Sequence, residues 1–211
     1  MADTYLTRTT TTNGSFVVNT WSLWVKRANL GSDTVLVSAY VSGSNVFQIR
    51  FRNTDTLEVG YYAGVWDFQV ATNRLFRDTS AWYHIVVTQD AGAGTSTDRI
   101  KIYVNGVRET SFGTTNFPSL DEGSNVINST GATQNIGQTG GGSEYFSGCM
   151  SHIYHTDGTA YDASAFGETD TTTGQWKIKT DVSVTYGTNG YFILKDGNSV
   201  TDQSGEGNNL T

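Results

Sequence analysis

Apolar side chains recur with a period of two along most of this sequence, and that limits the fold more than any other feature. In SFVVNTWSLWVKR, Trp21, Leu23 and Val25 alternate with Ser22, Trp24 and Lys26, the pattern of a strand with one buried face. VFQIRF sets Phe47, Ile49 and Phe51 against Gln48, Arg50 and Arg52. LEVGYY repeats the pattern with Leu57, Val59 and Tyr61, and WDFQV with Trp66, Phe68 and Val70. WYHIVVTQD and RIKIYV are two longer strands. Asn105-Gly106 after the second is a strong hairpin signal, because both central residues of a type I′ turn need positive φ. ATQNIGQ, YFSGCMSHIYH and a last segment at about 190–196 read as further strands. Segment 112–130 contains the only proline, Pro118, and reads as a long surface connection. DASAFGE reads as one helical turn capped by Asp162 or Ser164.

Composition supports strands and excludes other classes. The chain of 211 residues carries 24 Gly, 12% aromatics and only 16% charged residues. That mixture, rich in β-branched residues, describes strands joined by turns rather than a helical or a disordered chain. No helix-period window and no internal repeat is visible, which predicts an all-β, two-sheet antiparallel sandwich. A net charge of −7 without clustered Lys or Arg argues against nucleic acid as a partner. No apolar run is long enough for a membrane-spanning helix, so membrane insertion is not expected. The first residues do not form a secretory signal, and the single Cys149 precludes an internal disulfide, so synthesis in a reducing cytosol is expected. Residues 1–15, polar and Thr-rich, read as an N-terminal arm that orders only against a partner. Residues 16–211 read as one domain.

Three stretches together resemble the laminin-G-like, concanavalin-A-like jelly rolls: FVVNTWSLWVKR, WYHIVVTQD…RIKIYVNGVRE and YFSGCMSHIYHTDGTAYDASAFG. The resemblance implies a jelly-roll sandwich of the lectin and glucanase type. The strings W-x-x-W-V-K-R, F-R-D-T-S-A-W-Y-H-I-V-V, D-G-T-A-Y, F-G-E-T-D-x-T-T-G-x-W-K and Y-G-T-N-G-Y-F-I-L resemble jelly-roll structural proteins of tailed bacteriophages, marine ones especially. That closer resemblance implies a non-enzymatic virion component, either a capsid decoration or part of a tail fibre. Its partners would be other virion proteins and further copies of itself, made in the host cytoplasm and located in the virion. D-x-S-G-x-G-N-N, near the start of many laminin-G-like domains, stands here at Asp202 to Asn209. The expected explanation is a last strand closing the sandwich beside the first.

Glu168-Thr169-Asp170 begins the E-x-D-x-x-E of laminarinase-type hydrolases but lacks the final carboxylate, and reads as a capped turn. His84 reads as a core or sheet-face residue, His152 and His155 face opposite sides while their strand stays regular, and Cys149 reads as an inert core thiol. No cofactor is expected. Calcium is the one candidate the resemblance adds, with Asp90, Asp98, Asn105 and Asp157 at strand ends as its oxygen ligands. A host-surface polysaccharide is the alternative partner. Sugar C–H bonds stack on aromatic faces while amides and carboxylates fix hydroxyls, and Tyr62, Trp66 and Asp67 suit that chemistry, with Tyr145 second. The competing reading of those aromatics is packing, inside the sandwich or between subunits.

Overall fold

The fold was read from a computed structural model that describes residues 4–196 and 199–211. Residues 1–3 of the expected arm lie outside the described residues. In chain order the strands are β1 (Leu6–Thr9), β2 (Val18–Arg27), β3 (Thr34–Ser42), β4 (Asn45–Phe51), β5 (Thr56–Tyr62), β6 (Trp66–Leu75), β7 (Tyr83–Asp90) and β8 (Ile100–Val104). They continue with β9 (Val107–Arg108), β10 (Phe112–Asn116), β11 (Thr133–Ile136), β12 (Gly148–Asp157), β13 (Gly167–Thr169), β14 (Trp176–Ile178) and β15 (Tyr191–Ile193). Two short 3-10 turns complete the elements among the described residues, Ser96–Asp98 and Ala163–Ala165. Asp162 caps the second by accepting the Ser164 N–H.

Two antiparallel sheets form the body, as the alternation predicts. One has seven strands in the order β1-β11-β3-β4-β5-β6-β10, and the other six in the order β15-β12-β2-β7-β8-β9. Trp21, Leu23 and Val25 of the smaller sheet and Phe47, Ile49 and Val59 of the larger lie in one buried cluster between them. Each such side chain, moved from water to this interior, stabilises the fold by about 1.5–3 kcal/mol. Asn105 and Gly106 both have positive φ, 48° and 82°, and join β8 to β9 as the type I′ signal requires.

Several expectations are corrected. Within the expected arm, Leu6–Thr9 is β1, paired along its length with β11. Leu6 and Arg8 share a side with Ile136 and Gln134, so the segment has its own alternation, hidden by Arg8 and the threonines. Segment 112–130 is not all surface connection. Phe112–Asn116 pairs with β6, and Val126 and Ile127 are buried in the core. The last strand does not lie beside the first. β15 pairs with β12, and it is Thr211 that meets β1, exchanging two backbone hydrogen bonds with Thr7 at 2.9 and 3.0 Å. Strand β2 is buried on both faces rather than one, because a later part of the chain covers its second face.

A buried polar network joins the ends of the chain at the β1 edge. Arg8 donates to Gln134 Oε1, Asn189 Oδ1 and Asn208 Oδ1. Asp157 accepts the Ser15 N–H and Asn128 Nδ2 on one oxygen, and the backbone and side-chain N–H groups of Asn189 on the other. His155 packs flat on Trp21 with ring centroids 3.9 Å apart and donates from Nε2 to Asn128 Oδ1. Its burial pushes the imidazole pKa down to about 3.

Candidate functional site

The outer face of the seven-stranded sheet is built by β4, β5 and β6. Register places Gln48, Gly60 and Gln69 in one cross-strand row, with Arg50 opposite Glu58 in the next and Tyr62 opposite Trp66 at the end. Trp66 lies over Gly60. A Cβ there would sit 2.7 Å from Trp66 Cζ3, so only glycine lets the indole rest on the sheet. Tyr62 meets Trp66 edge-on at 5.5 Å and 72°, and both rings are half-buried. The result is an aromatic ledge beside amides, a geometry suited to a ring with apolar C–H faces and polar edges.

Charged groups surround the ledge. Glu58 accepts Arg50 Nε at 2.8 Å, Arg52 Nη1 at 2.6 Å and Gln69 Nε2 at 2.8 Å. Glu144 reaches Arg50 Nη1 at 3.4 Å, and Asp33 reaches Arg52 Nε at the same distance. Next along the face, Ser38 pairs with Gln48 and Asn135 with Ser38 in register, and Gln138 Nε2 donates to Asn135 Oδ1. Gln48 and Gln138 each leave Oε1 buried without a partner.

Of the four sequence-predicted glycan residues, the fold brings Tyr62 and Trp66 together. Asp67 is the extra residue of a bulge between the Tyr61–Phe68 and Tyr62–Trp66 pairs. It lines a separate depression of about 370 Å³ with Tyr61, Glu122 and Asn125. There burial, and then the Glu122 carboxylate, raise its pKa. Tyr145 packs against Tyr5, which precedes β1, with ring centroids 6.2 Å apart. Reading parity along VFQIRF and LEVGYY would have found Gln48, Arg50 and Glu58. Gln69 and Gln138 required knowledge of which strands pair.

The outer face of the six-stranded sheet has the opposite fate. Residues between Tyr161 and Tyr186 fold across it, so Val86, Tyr154, Ala163, Phe166 and Phe192 form a second buried cluster. His84 is fully buried on this face between Trp24 and Trp176, with ring centroids at 4.8 and 6.0 Å. Trp176 donates from Nε1 to His84 Nδ1 at 2.8 Å, so Nε2 carries the ring proton and donates to Ser22 Oγ at 2.9 Å. Burial pushes the His84 pKa down to about 3, and the ring is a neutral packing group.

The remaining candidates separate. Glu168 and Asp170 flank Lys177 on the β13–β14 hairpin, and Asp170 Oδ1 caps the turn by accepting the Thr172 and Thr173 N–H groups at 2.9 Å. Asp98 pairs with Arg108 at 2.7 Å at one end of β8, while Asn105 stands at the other and accepts the His84 N–H. Asp157 is filled by N–H donors on both oxygens, which a cation would repel. Asp90 ends β7, with its backbone N–H donating to the Arg99 carbonyl. No group of three or more His, Cys, Asp or Glu side chains placed to hold a metal occurs among the described residues. His152 lies in a bulge at φ 49° beside Phe192. Cys149 is exposed rather than a core thiol, on the wall of a cleft of about 610 Å³ shared with Tyr5, Trp82, Phe146 and Leu194.

Comparison with known proteins agrees with this architecture. The fold is similar to a heptameric SAP-like pentraxin from Limulus polyphemus, with a TM-score of 0.50 and 19% identity over 73% of this chain and 70% of that one. It is also similar to Domain 4 of AbnA, an extracellular arabinanase from Geobacillus stearothermophilus, solved with arabinotriose. That match has a TM-score of 0.52 and 21% identity over 72% of this chain and 64% of that one. A third similar structure is the enzymatically active domain of tailspike protein 2 of bacteriophage CBA120. There the TM-score is 0.51 and identity 12%, over 74% of this chain and 24% of the other. At these identities the likeness concerns the fold. No curated protein matches the sequence. A family profile, Laminin_G_3, matches residues 2–157, and the chain therefore belongs to the Concanavalin A-like lectin/glucanases superfamily.

Proposed function

We propose that this protein is a non-catalytic carbohydrate-binding jelly roll whose ligand face is the Trp66–Tyr62 ledge. The observation that carries the reading is Trp66 laid over Gly60 with Tyr62 at its edge and Gln48 and Gln69 beside it, with both rings left half-exposed. Hydroxyls and stacked C–H bonds of a sugar match those groups. The arabinotriose complex of AbnA Domain 4 supports a saccharide as the ligand class for this fold. The capped turn at Glu168 and Asp170 supports binding rather than hydrolysis. Trp66→Ala is expected to abolish retention on a glycan array while the protein stays folded. Unchanged retention by the folded variant would overturn the assignment.

A second, compatible reading is that the protein is a structural part of a tailed-phage particle. It is supported by the likeness of its sequence strings to phage jelly rolls and by the fold it shares with the CBA120 tailspike domain. The protein would then assemble as a symmetric homo-oligomer, be made in the host cytoplasm, reside in the virion and hold other virion proteins as partners. Size-exclusion chromatography with light scattering is expected to show a trimer or larger ring, and electron microscopy of particles to locate it. A monomer at high concentration would count against this role.

A further inference from the structure

The charges around the ledge bear on which class of saccharide it takes. Two guanidiniums, Arg50 and Arg52, face three carboxylates, Glu58, Glu144 and Asp33, leaving one negative charge in excess. Both cations are already engaged. Arg50 is held by Glu58 at 2.7 Å and Glu144, and Arg52 by Glu58 at 2.6 Å and Asp33. An anionic sugar arriving here would find both cations already ion-paired, with Arg52 Nε alone lacking a hydrogen-bond partner, and would meet a surplus of like charge, on a chain of net charge −7.

Beside one unpartnered donor, Arg52 Nε, two unpartnered acceptors on the same face point to the same class. Asn135 Nδ2 donates to the Thr133 backbone carbonyl at 3.3 Å, and a carbonyl can only accept, so the Asn135 amide is oriented. Its Oδ1 therefore accepts Gln138 Nε2 at 3.3 Å, and Gln138 Oε1 is left without a donor although the residue is only 6% exposed. Gln48 Oε1, in the row with Gly60 beneath Trp66, is a second unpartnered buried acceptor. Such oxygens need a partner that brings a proton. A sugar hydroxyl has one, whereas an ionised carboxylate or sulfate has none.

We propose, resting on the carbohydrate-binding reading above, that this face takes neutral oligosaccharides through their hydroxyl protons and rejects uronate- and sulfate-bearing ones. The test is affinity gel electrophoresis of the full chain in soluble neutral polymers (β-glucan, arabinan, galactomannan) and anionic ones (alginate, polygalacturonate, carrageenan). Retardation is expected in at least one neutral gel, lost in Trp66→Ala, with none in the anionic gels. Trp66-dependent retardation in the anionic gels alone would overturn the neutral assignment while leaving the carbohydrate reading standing. No Trp66-dependent retardation in any gel would overturn both. A charge variant tests the cause. Glu144→Gln removes the excess negative charge and loosens Arg50, and should raise affinity for the anionic polymers about threefold to tenfold at low salt. Glu58→Gln, which loosens both arginines and leaves each one carboxylate, should raise it further. If folded Glu144→Gln leaves anionic binding unchanged, charge is not what excludes anions.

Discussion

The two outer faces of this sandwich begin from similar strand patterns and end in opposite states. Both alternate core residues with a mixture of aromatic and polar groups, Ser22 and Trp24 on β2 against Gly60 and Tyr62 on β5. On the six-stranded sheet the chain returns, and Phe166, Trp176 and their neighbours cover the strands. There a histidine becomes a neutral spacer between two indoles. On the seven-stranded sheet Trp66 and Tyr62 stay half-buried beside amides whose oxygens lack partners. Coverage, rather than residue type, separates packing aromatics from a half-exposed ledge.

Mutations and pH should break the two faces differently. The largest expected effect is on the covered face. Phe166→Ala empties part of the second buried cluster and should cost about 3–5 kcal/mol in urea unfolding. Acid comes next. Burial holds His84 neutral in the folded chain down to about pH 3, whereas its imidazole in the unfolded chain protonates near pH 6.5. Stability is therefore full above pH 6.5 and is lost as pH falls from 6.5 toward 3. By pH 4.5 the loss through His84 alone should be about 2–3 kcal/mol, readable as a falling urea midpoint. His155 adds a similar loss from the polar network, so His84→Asn should keep about half of the pH slope. Trp176→Phe keeps the stack but removes the N–H that His84 Nδ1 accepts, and should cost about 1–2 kcal/mol. The smallest stability effect is expected on the open face, where Tyr62→Ala should cost about 0.5 kcal/mol or less in unfolding free energy while weakening glycan retention. A large loss of stability from Tyr62→Ala would show that the open ledge is packing after all, and would erase the contrast.

Legibility in the sequence followed the same division. Strand positions and core parity were readable because a pleated strand forces side chains to alternate, and Trp21, Leu23, Phe47 and Ile49 needed no tertiary information. Tyr62 was also within reach, since it is out of phase with buried Val59 and Tyr61, whereas Trp66 reads in phase with core Phe68 and Val70 and comes to the outer face only through the bulge at Asp67. Asp67 was misplaced because a bulge changes parity by one residue and nothing local announces it. The proposed calcium ligands shared a location type, strand ends; Asp90, Asp98 and Asp157 stand at one end of the six-stranded sheet on different strands, and Asn105 at the other. β1 was hidden because the residues on its one side are Leu6 and Arg8, and a half-buried arginine looks polar until Asn189 and Asn208 come to meet it.

By itself the sequence determined an all-β sandwich, its core-facing residues and the Asn105-Gly106 hairpin, since these follow from steric rules acting over two to four neighbouring residues. Only the tertiary structure decided that β15 joins β12, that Thr211 pairs with Thr7, that His84 is buried between tryptophans, and that Glu58 gathers Arg50, Arg52 and Gln69. Those outcomes depend on which distant segments come into contact, and hydrogen bonding and desolvation act on a side chain only through the partners the fold brings to it.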